Sequence, residues 1–215
     1  MSESRVRVSE VFYSLQGEGR RVGLPTMFIR LTGCPLRCGY CDTTYAFQGG
    51  TWMTIAALVA EARRQSVRHV CVTGGEPLAQ RACLELLSVL SDADFDVCLE
   101  TSGALPVDAV DSRVARIVDI KTPGSGEHER NHWDNLACLN ERDELKFVLV
   151  DEADYRWAVA CLRERRLAAV CEVLFSPAHG RLAPRDLADW IVRDRLQVRM
   201  QVQLHKLLWG EAPGR

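Results

Sequence analysis

The chain is expected to fold as an α/β protein, a partial (β/α) barrel of about six parallel strands in a single domain spanning residues 1–215. Three observations lead there. Short apolar runs alternate with helically periodic segments, and the connections between strand-like runs are too long for hairpins, which favours parallel pairing. The length of 215 residues also falls short of the roughly 250 of a complete eight-unit barrel. No internal repeat, low-complexity stretch or linker divides the chain.

In chain order, residues 6–13 and 26–31 read as strands. Ile55, Leu58, Val59 and Ala62 then recur at helical spacing behind Thr54, a suitable N-cap. Residues 69–73 form the next strand. Ala79, Ala82, Cys83, Leu86, Leu87 and Leu90 after it draw the apolar stripe of an amphipathic helix. Further strands are expected at 96–100, 116–120, 145–149, 169–175 and 199–204. Helices at 151–165 and 184–194 would turn Ala158, Cys161 and Leu162, and Leu187, Trp190 and Ile191, toward the core.

The net charge of −2 gives no general field for a nucleic-acid backbone, so no nucleic-acid partner is expected. No apolar run approaches the roughly 18 residues of a membrane span. Residues 1–10 alternate in charge without an apolar centre, unlike a secretory signal. A cytoplasmic protein without a membrane partner follows. In that compartment the odd count of nine cysteines implies reduced thiols rather than a disulfide framework. Cys71, Cys98 and Cys171 in strands, and Cys83 and Cys161 on apolar helix faces, are expected in the core. Cys138 has no assignment.

The remaining three cysteines, in Cys34-Pro35-Leu36-Arg37-Cys38-Gly39-Tyr40-Cys41, form a loop directly after the 26–31 strand. Thiolates favour zinc, copper(I) and iron–sulfur clusters. A structural zinc site closes with four ligands, and no fourth Cys or His is nearby, so three protein ligands with one open position is the simplest arrangement. A non-catalytic iron–sulfur or zinc module remains the alternative. Other polar residues also fall at strand ends: Thr73-Gly74-Gly75-Glu76-Pro77, then residues 100–103, 119–121 and 203–206. In parallel α/β folds those ends converge on one ligand-binding mouth. The glycine pair would let backbone approach a ligand closely. Arg30, a charge within an apolar strand, favours ligand binding over a rim salt bridge.

The cysteine spacing with Tyr40 before the last cysteine, together with Gly74-Gly75-Glu76-Pro77, resembles the radical S-adenosylmethionine (radical SAM) enzymes. Glu10-Val11-Phe12-Tyr13-Ser14-Leu15-Gln16-Gly17-Glu18-Gly19, Phe28-Ile29-Arg30-Leu31-Thr32-Gly33-Cys34, Cys41-Asp42-Thr43 and Gln203-Leu204-His205-Lys206 are similar to the 7-carboxy-7-deazaguanine synthase family within them. The resemblance runs from Glu10 to the carboxyl terminus.

That resemblance implies a radical SAM type barrel with the cluster loop after its first strand. Cys34, Cys38 and Cys41 would bind a [4Fe–4S] cluster, and SAM would fill the open position. Tyr40, Cys41, Asp42, Gly75, Glu76, Asp119, Ile120 and Lys121 would contact SAM, with Glu76 near its amino group. Leu15, Gln16, Gly17, Arg30 and Thr73 would hold a pterin, 6-carboxy-5,6,7,8-tetrahydropterin, and Thr43 would bind Mg²⁺. The implied reaction, by a carbon–nitrogen lyase, is ring contraction to 7-carboxy-7-deazaguanine with loss of ammonia, for queuosine-type tRNA modification. No side chain need abstract the hydrogen, since SAM carries the radical. A flavodoxin-like electron donor and a homodimer are also implied. The nearest enzymatic alternative is a glycyl-radical enzyme activating protein, whose cluster loop shares the spacing.

Overall fold

In a computed structural model, residues 4–210, 212 and 214 are described. Residues 1–3, 211, 213 and 215 of the expected domain lie outside them. Among the described residues nine strands form one sheet: β1 (Arg5–Leu15), β2 (Pro25–Leu31), β3 (Thr51–Thr54), β4 (His69–Gly74), β5 (Asp96–Thr101), β6 (Ala115–Ile120), β7 (Glu144–Leu149), β8 (Glu172–Pro177) and β9 (Arg199–Met200). Their order is β3-β1-β2-β4-β5-β6-β7-β8-β9. From β2 through β8 the six neighbouring strands β2, β4, β5, β6, β7 and β8 pair in parallel, which is the expected partial barrel. Five helices accompany them: α1 (Ile55–Arg64), α2 (Ala82–Asp92), α3 (Glu152–Glu164), α4 (Pro184–Asp194) and α5 (Leu204–Trp209).

Several elements differ from expectation. β1 is antiparallel to β2, with Leu15 opposite Pro25, so the 16–24 connection is a hairpin loop despite its length. β3 pairs antiparallel with β1 at the sheet edge, and four residues are too few to show alternation. The strand expected at 199–204 shrinks to two residues, because the chain turns at Gln203 into α5. The strand expected from 169 starts at Glu172, after a 3-10 turn at Leu167–Ala169. Ala79 belongs to a 3-10 turn opened by Pro77, so α2 starts at Ala82. Thr54 caps α1 as expected, its side chain accepting from Ala57 N.

The sheet's period of two sorts its residues. Met27, Ile29, Leu31, Val70, Val72, Val97 and Leu99 face outward and bury α1 and α2. Val118, Ile120, Leu145, Phe147, Leu149, Val173 and Phe175 do the same for α3 and α4. Trp190 and Ile191 are only partly buried there, with Leu187 fully so. Cys83 and Cys161 lie in these outer cores, as expected, and Cys171 joins the second. Inside the barrel a smaller apolar cluster of Phe28, Cys71, Cys98 and Ala115, with Phe12 against it, makes the floor. The next inward residues on β2, β4 and β5 are polar, Arg30 after Phe28, Thr73 after Cys71 and Glu100 after Cys98, while on β6 Ile117 precedes Asp119. On the first three strands the interior therefore changes from apolar floor to polar mouth within one residue pair.

Candidate active site

The polar mouth opens as a cavity of about 560 Å³. It receives the cluster loop from β2, glycines from β4, Glu100 from β5, Asp119 and Lys121 from β6, Lys146 from β7 and Ser176 from β8. Because β1 runs antiparallel, Leu15, Gln16, Gly17 and Glu18 enter from the opposite end and line the same cavity. The C-terminal segment closes the seam between β8 and the β1 loop. Gln201 N bonds Phe175 O (3.0 Å), and Leu204 N bonds Gly17 O (3.1 Å). His205 fills the space a Cβ on Gly17 would need, and Lys206 Nζ reaches Asp42 Oδ2 (3.1 Å). Burial opposes charge on Asp42, but Lys206 and hydrogen bonds from Thr43 and Gln203 outweigh it and hold its pKa at about 2.

The cluster loop is fixed by contacts outside its cysteines. Leu36 is buried beneath it. The Arg37 guanidinium donates to Cys34 O (2.9 Å) and Leu36 O (2.6 Å), and its backbone N–H to Glu127 Oε1 (2.6 Å). Gly39 N donates to Ser125 O (2.9 Å), and Arg181 Nη2 to Gly39 O (2.6 Å). The 122–130 stretch, without a residue-level role in the sequence, thus supports the loop through Ser125 and Glu127. Gly75 packs so close to Gly33 O and Cys34 Cβ that a side chain there would separate the loop from β4.

All three loop cysteines are free, half-buried and on the cavity wall. The other six do not line it. Among the described residues no trio of Cys, His, Asp or Glu gathers around a single-ion position. Three free thiols on one loop at the cavity wall suit an iron–sulfur cluster, which takes one cysteine per iron. Burial raises Cys34 and Cys38 above the ordinary thiol range, against the opposing charge of Lys121, so metal binding there releases protons.

On the wall beside the cysteines, Lys121 Nζ bonds Asp119 Oδ2 (2.9 Å), and Asn131 clasps the Lys121 backbone from both sides (2.8 Å each). Two buried polar atoms of cavity-lining residues here, Tyr40 OH and Asp119 Oδ1, have no hydrogen-bond partner among the described residues. A bound polar group would satisfy them. On the neighbouring strand β5, Glu100 accepts from Gln16 Nε2 (3.2 Å) and Thr73 Oγ1 (2.8 Å). Arg30 lies over Phe12 (5.7 Å) and donates Nε to Glu10 Oε1 (2.7 Å). It is thus both the salt-bridged residue and the cavity-lining one.

Of the residues singled out from sequence, Leu15, Gln16, Gly17, Arg30, Cys34, Cys38, Tyr40, Cys41, Asp42, Thr43, Thr73, Gly75, Asp119 and Lys121 meet in this cavity. Two side chains do not. Ile120 points outward into the α3 core, because it alternates with Asp119. Glu76, expected beside the SAM amino group, is fully buried away from the cavity. Its carboxylate accepts from Leu78 N (2.9 Å), Thr101 Oγ1 (2.9 Å), Ser102 N (2.7 Å) and Ser102 Oγ. It therefore ties the end of β4 to the end of β5. Glu76→Ala should lower stability by about 2–3 kcal/mol, and Glu76→Gln, which keeps a carbonyl acceptor, by less; urea unfolding compares them. Sequence reasoning missed Glu18, Lys146, Ser176 and Arg181 as cavity residues. The charge of Lys146 inside the otherwise apolar run from Leu145 to Leu149 was the available signal.

A family model described as the radical SAM superfamily matches residues 28–121. The chain is 48% identical to the 7-carboxy-7-deazaguanine synthase of Chlorobaculum tepidum, over 97% of this chain and 96% of the relative. It is 39% identical to the enzyme of the same name from Koribacter versatilis, over 95% and 97%. Its structure resembles the crystal structure of QueE from Escherichia coli, with a TM-score of 0.74 at 25% identity over 94% of this chain and 95% of that one. Streptococcus suis SuiB bound to S-adenosylmethionine shares the fold, with a TM-score of 0.57 at 13% identity over 80% and 48%. This chain belongs to the 7-carboxy-7-deazaguanine synthase family of the radical SAM superfamily.

Proposed function

We propose that the chain, acting as one domain over residues 1–215, is a carbon–nitrogen lyase that converts 6-carboxy-5,6,7,8-tetrahydropterin to 7-carboxy-7-deazaguanine and ammonia in 7-deazapurine biosynthesis. The observation that carries this reading is a shared cavity: the cysteine loop and the Gln16, Arg30, Thr73 and Glu100 wall face one space of about 560 Å³. When bound at Cys34, Cys38 and Cys41, a [4Fe–4S] cluster supplies SAM with the electron that yields a 5′-deoxyadenosyl radical.

The chain's own residues bind and orient. Asp119 and Lys121 offer opposite charges to polar parts of SAM, and Tyr40 and Asp42 flank it from the cluster loop. Gln16, Gly17 and Thr73 present amide, backbone and hydroxyl groups to the pterin. The Arg30 fork suits its carboxylate, since planar bidentate recognition is what a guanidinium does well. Burial lowers the His205 pKa, against Glu18 and Asp42, so a neutral imidazole closes the seam. The reaction is radical abstraction at C6, so these groups need only keep C6 in reach and water away.

Mg²⁺ fits a limited role. Thr43 Oγ1 donates to Asp42 Oδ1 (2.9 Å), and Asp42 is already neutralised by Lys206. The site therefore offers one hydroxyl, with substrate oxygens and waters completing the shell, an arrangement Mg²⁺ accepts. Thr43→Ala should weaken the magnesium dependence of turnover while sparing magnesium-free SAM cleavage; a magnesium titration with an unchanged response would remove Thr43 from the site.

A flavodoxin-like donor, a homodimer and a cytoplasmic setting complete the proposal. No helix among the described residues is long and apolar enough to cross a membrane. The test is anaerobic turnover of the reconstituted protein with the pterin, SAM, Mg²⁺ and dithionite, with products read by mass spectrometry. Formation of 7-carboxy-7-deazaguanine supports the reading. No product, together with SAM cleavage triggered only by a partner protein, would replace it with the activating-enzyme alternative.

A further inference from the structure

We propose that Lys146 is a positioning residue that links the two halves of the cavity, so that SAM and pterin bind cooperatively. This rests on the assignment of SAM to the Asp119 wall and of the pterin to the Leu15 to Glu18 loop. Lys146 is the inward-facing residue at the middle of β7, level with Asp119 of β6. Its Nζ lies 2.7 Å from Glu18 Oε2 and 3.9 Å from Asp119 Oδ2, and Asp119 Oδ2 lies 2.9 Å from Lys121 Nζ. The side chains of Glu18, Lys146, Asp119 and Lys121 are 11%, 13%, 16% and 9% exposed, and all line the cavity.

Charge alternates along this row from the loop after β1, through β7, to the end of β6. Burial alone would lower both lysines, but Asp119 beside Lys121, and Glu18 and Asp119 beside Lys146, outweigh it and raise them. Lys146 is therefore held between two carboxylates and Lys121 beside one, and both stay charged. Glu18 also belongs to the pterin loop by its backbone, since its N–H bonds Gln16 Oε1 (3.3 Å) and Gln16 Nε2 bonds Glu100. Lys146 thus contacts the carboxylate of one subsite directly and that of the other at longer range. A ligand that draws Asp119 toward itself shifts Lys146, and with it Glu18. Buried charges at these distances interact strongly, and a coupling between two sites is reciprocal in binding free energy.

The experiment measures pterin affinity of the reconstituted enzyme by calorimetry, with and without SAM and without reductant, so that no turnover occurs. In the wild type, SAM should tighten pterin binding about five- to a hundredfold. Lys146→Met should bring that factor toward one, and Lys146→Arg, which keeps charge and reach, should retain most of it. Iron content and the unfolding midpoint report whether each variant is folded. If Lys146→Met does not fold, Lys146→Gln carries the same test.

A wild-type factor near one, or a factor unchanged in the folded Met or Gln variant, overturns the proposal. Wild-type protein that neither binds nor turns over the pterin overturns the functional assignment, and the coupling with it. The two failures are therefore distinct.

Discussion

Replacing any one of Cys34, Cys38 or Cys41 by Ala removes SAM cleavage and lowers the iron bound after anaerobic reconstitution, whereas Cys83→Ala leaves both unchanged. The reason is local. The three thiols stand on one loop at the cavity wall, and none of the other six cysteines lines that cavity, so no neighbour can substitute. With one anchor missing, a cluster that takes about one cysteine per iron is held at two points. Cys83 is fully buried in the α1 and α2 core, where its thiol serves as a small apolar group. Its replacement creates a small cavity and costs about 1 kcal/mol. Iron analysis and 5′-deoxyadenosine formation, measured on all four variants, check the division. Equal losses in all four would contradict it.

Asp143→Ala should cause the largest loss of stability, about 3–5 kcal/mol. Asp143 is fully buried and Arg116 nearly so; Arg116 Nη2 lies 2.6 Å from Asp143 Oδ2 and Arg116 Nε 3.1 Å from Oδ1. The same carboxylate accepts from the backbone N–H groups of Arg116 and Asn140 (2.8 Å each). It thereby pins the start of β6 to the turn that enters β7. Without it a guanidinium stays buried with no counter-charge, and two backbone donors lose their acceptor. Asp143→Asn keeps an acceptor and should lose less. Arg113, paired at the exposed surface with Asp111 and Asp92, is the contrast: Arg113→Ala should shift the urea midpoint only slightly. A midpoint for Asp143→Ala equal to that for Arg113→Ala would contradict the account of the buried pair.

The parallel strands were legible because each carries a compact apolar run, and α1 and α4 because their stripes and start signals coincide, Thr54 before one and Pro184 opening the other. The direction of β1 was not legible. Its alternation is the same whether it pairs parallel or antiparallel, and only the contact of Leu15 with Pro25 decides. Hence the sequence placed Leu15 to Gly17 in the site without showing that they enter from the opposite end. The cysteine loop declared itself through local spacing. The partners that hold it, Ser125, Glu127 and Arg181, come from distant segments with no local signal. Glu76 shows the reverse: a motif residue whose carboxylate proves to be consumed by Thr101 and Ser102.

The most direct test of the central claim, that one cavity holds the radical source and C6 of the pterin within reach, uses substrate deuterated at C6. Anaerobic turnover with SAM and Mg²⁺ should place deuterium in the 5′-deoxyadenosine while 7-carboxy-7-deazaguanine forms. Product accompanied by unlabelled 5′-deoxyadenosine, or SAM cleavage that ignores the pterin altogether, would contradict it.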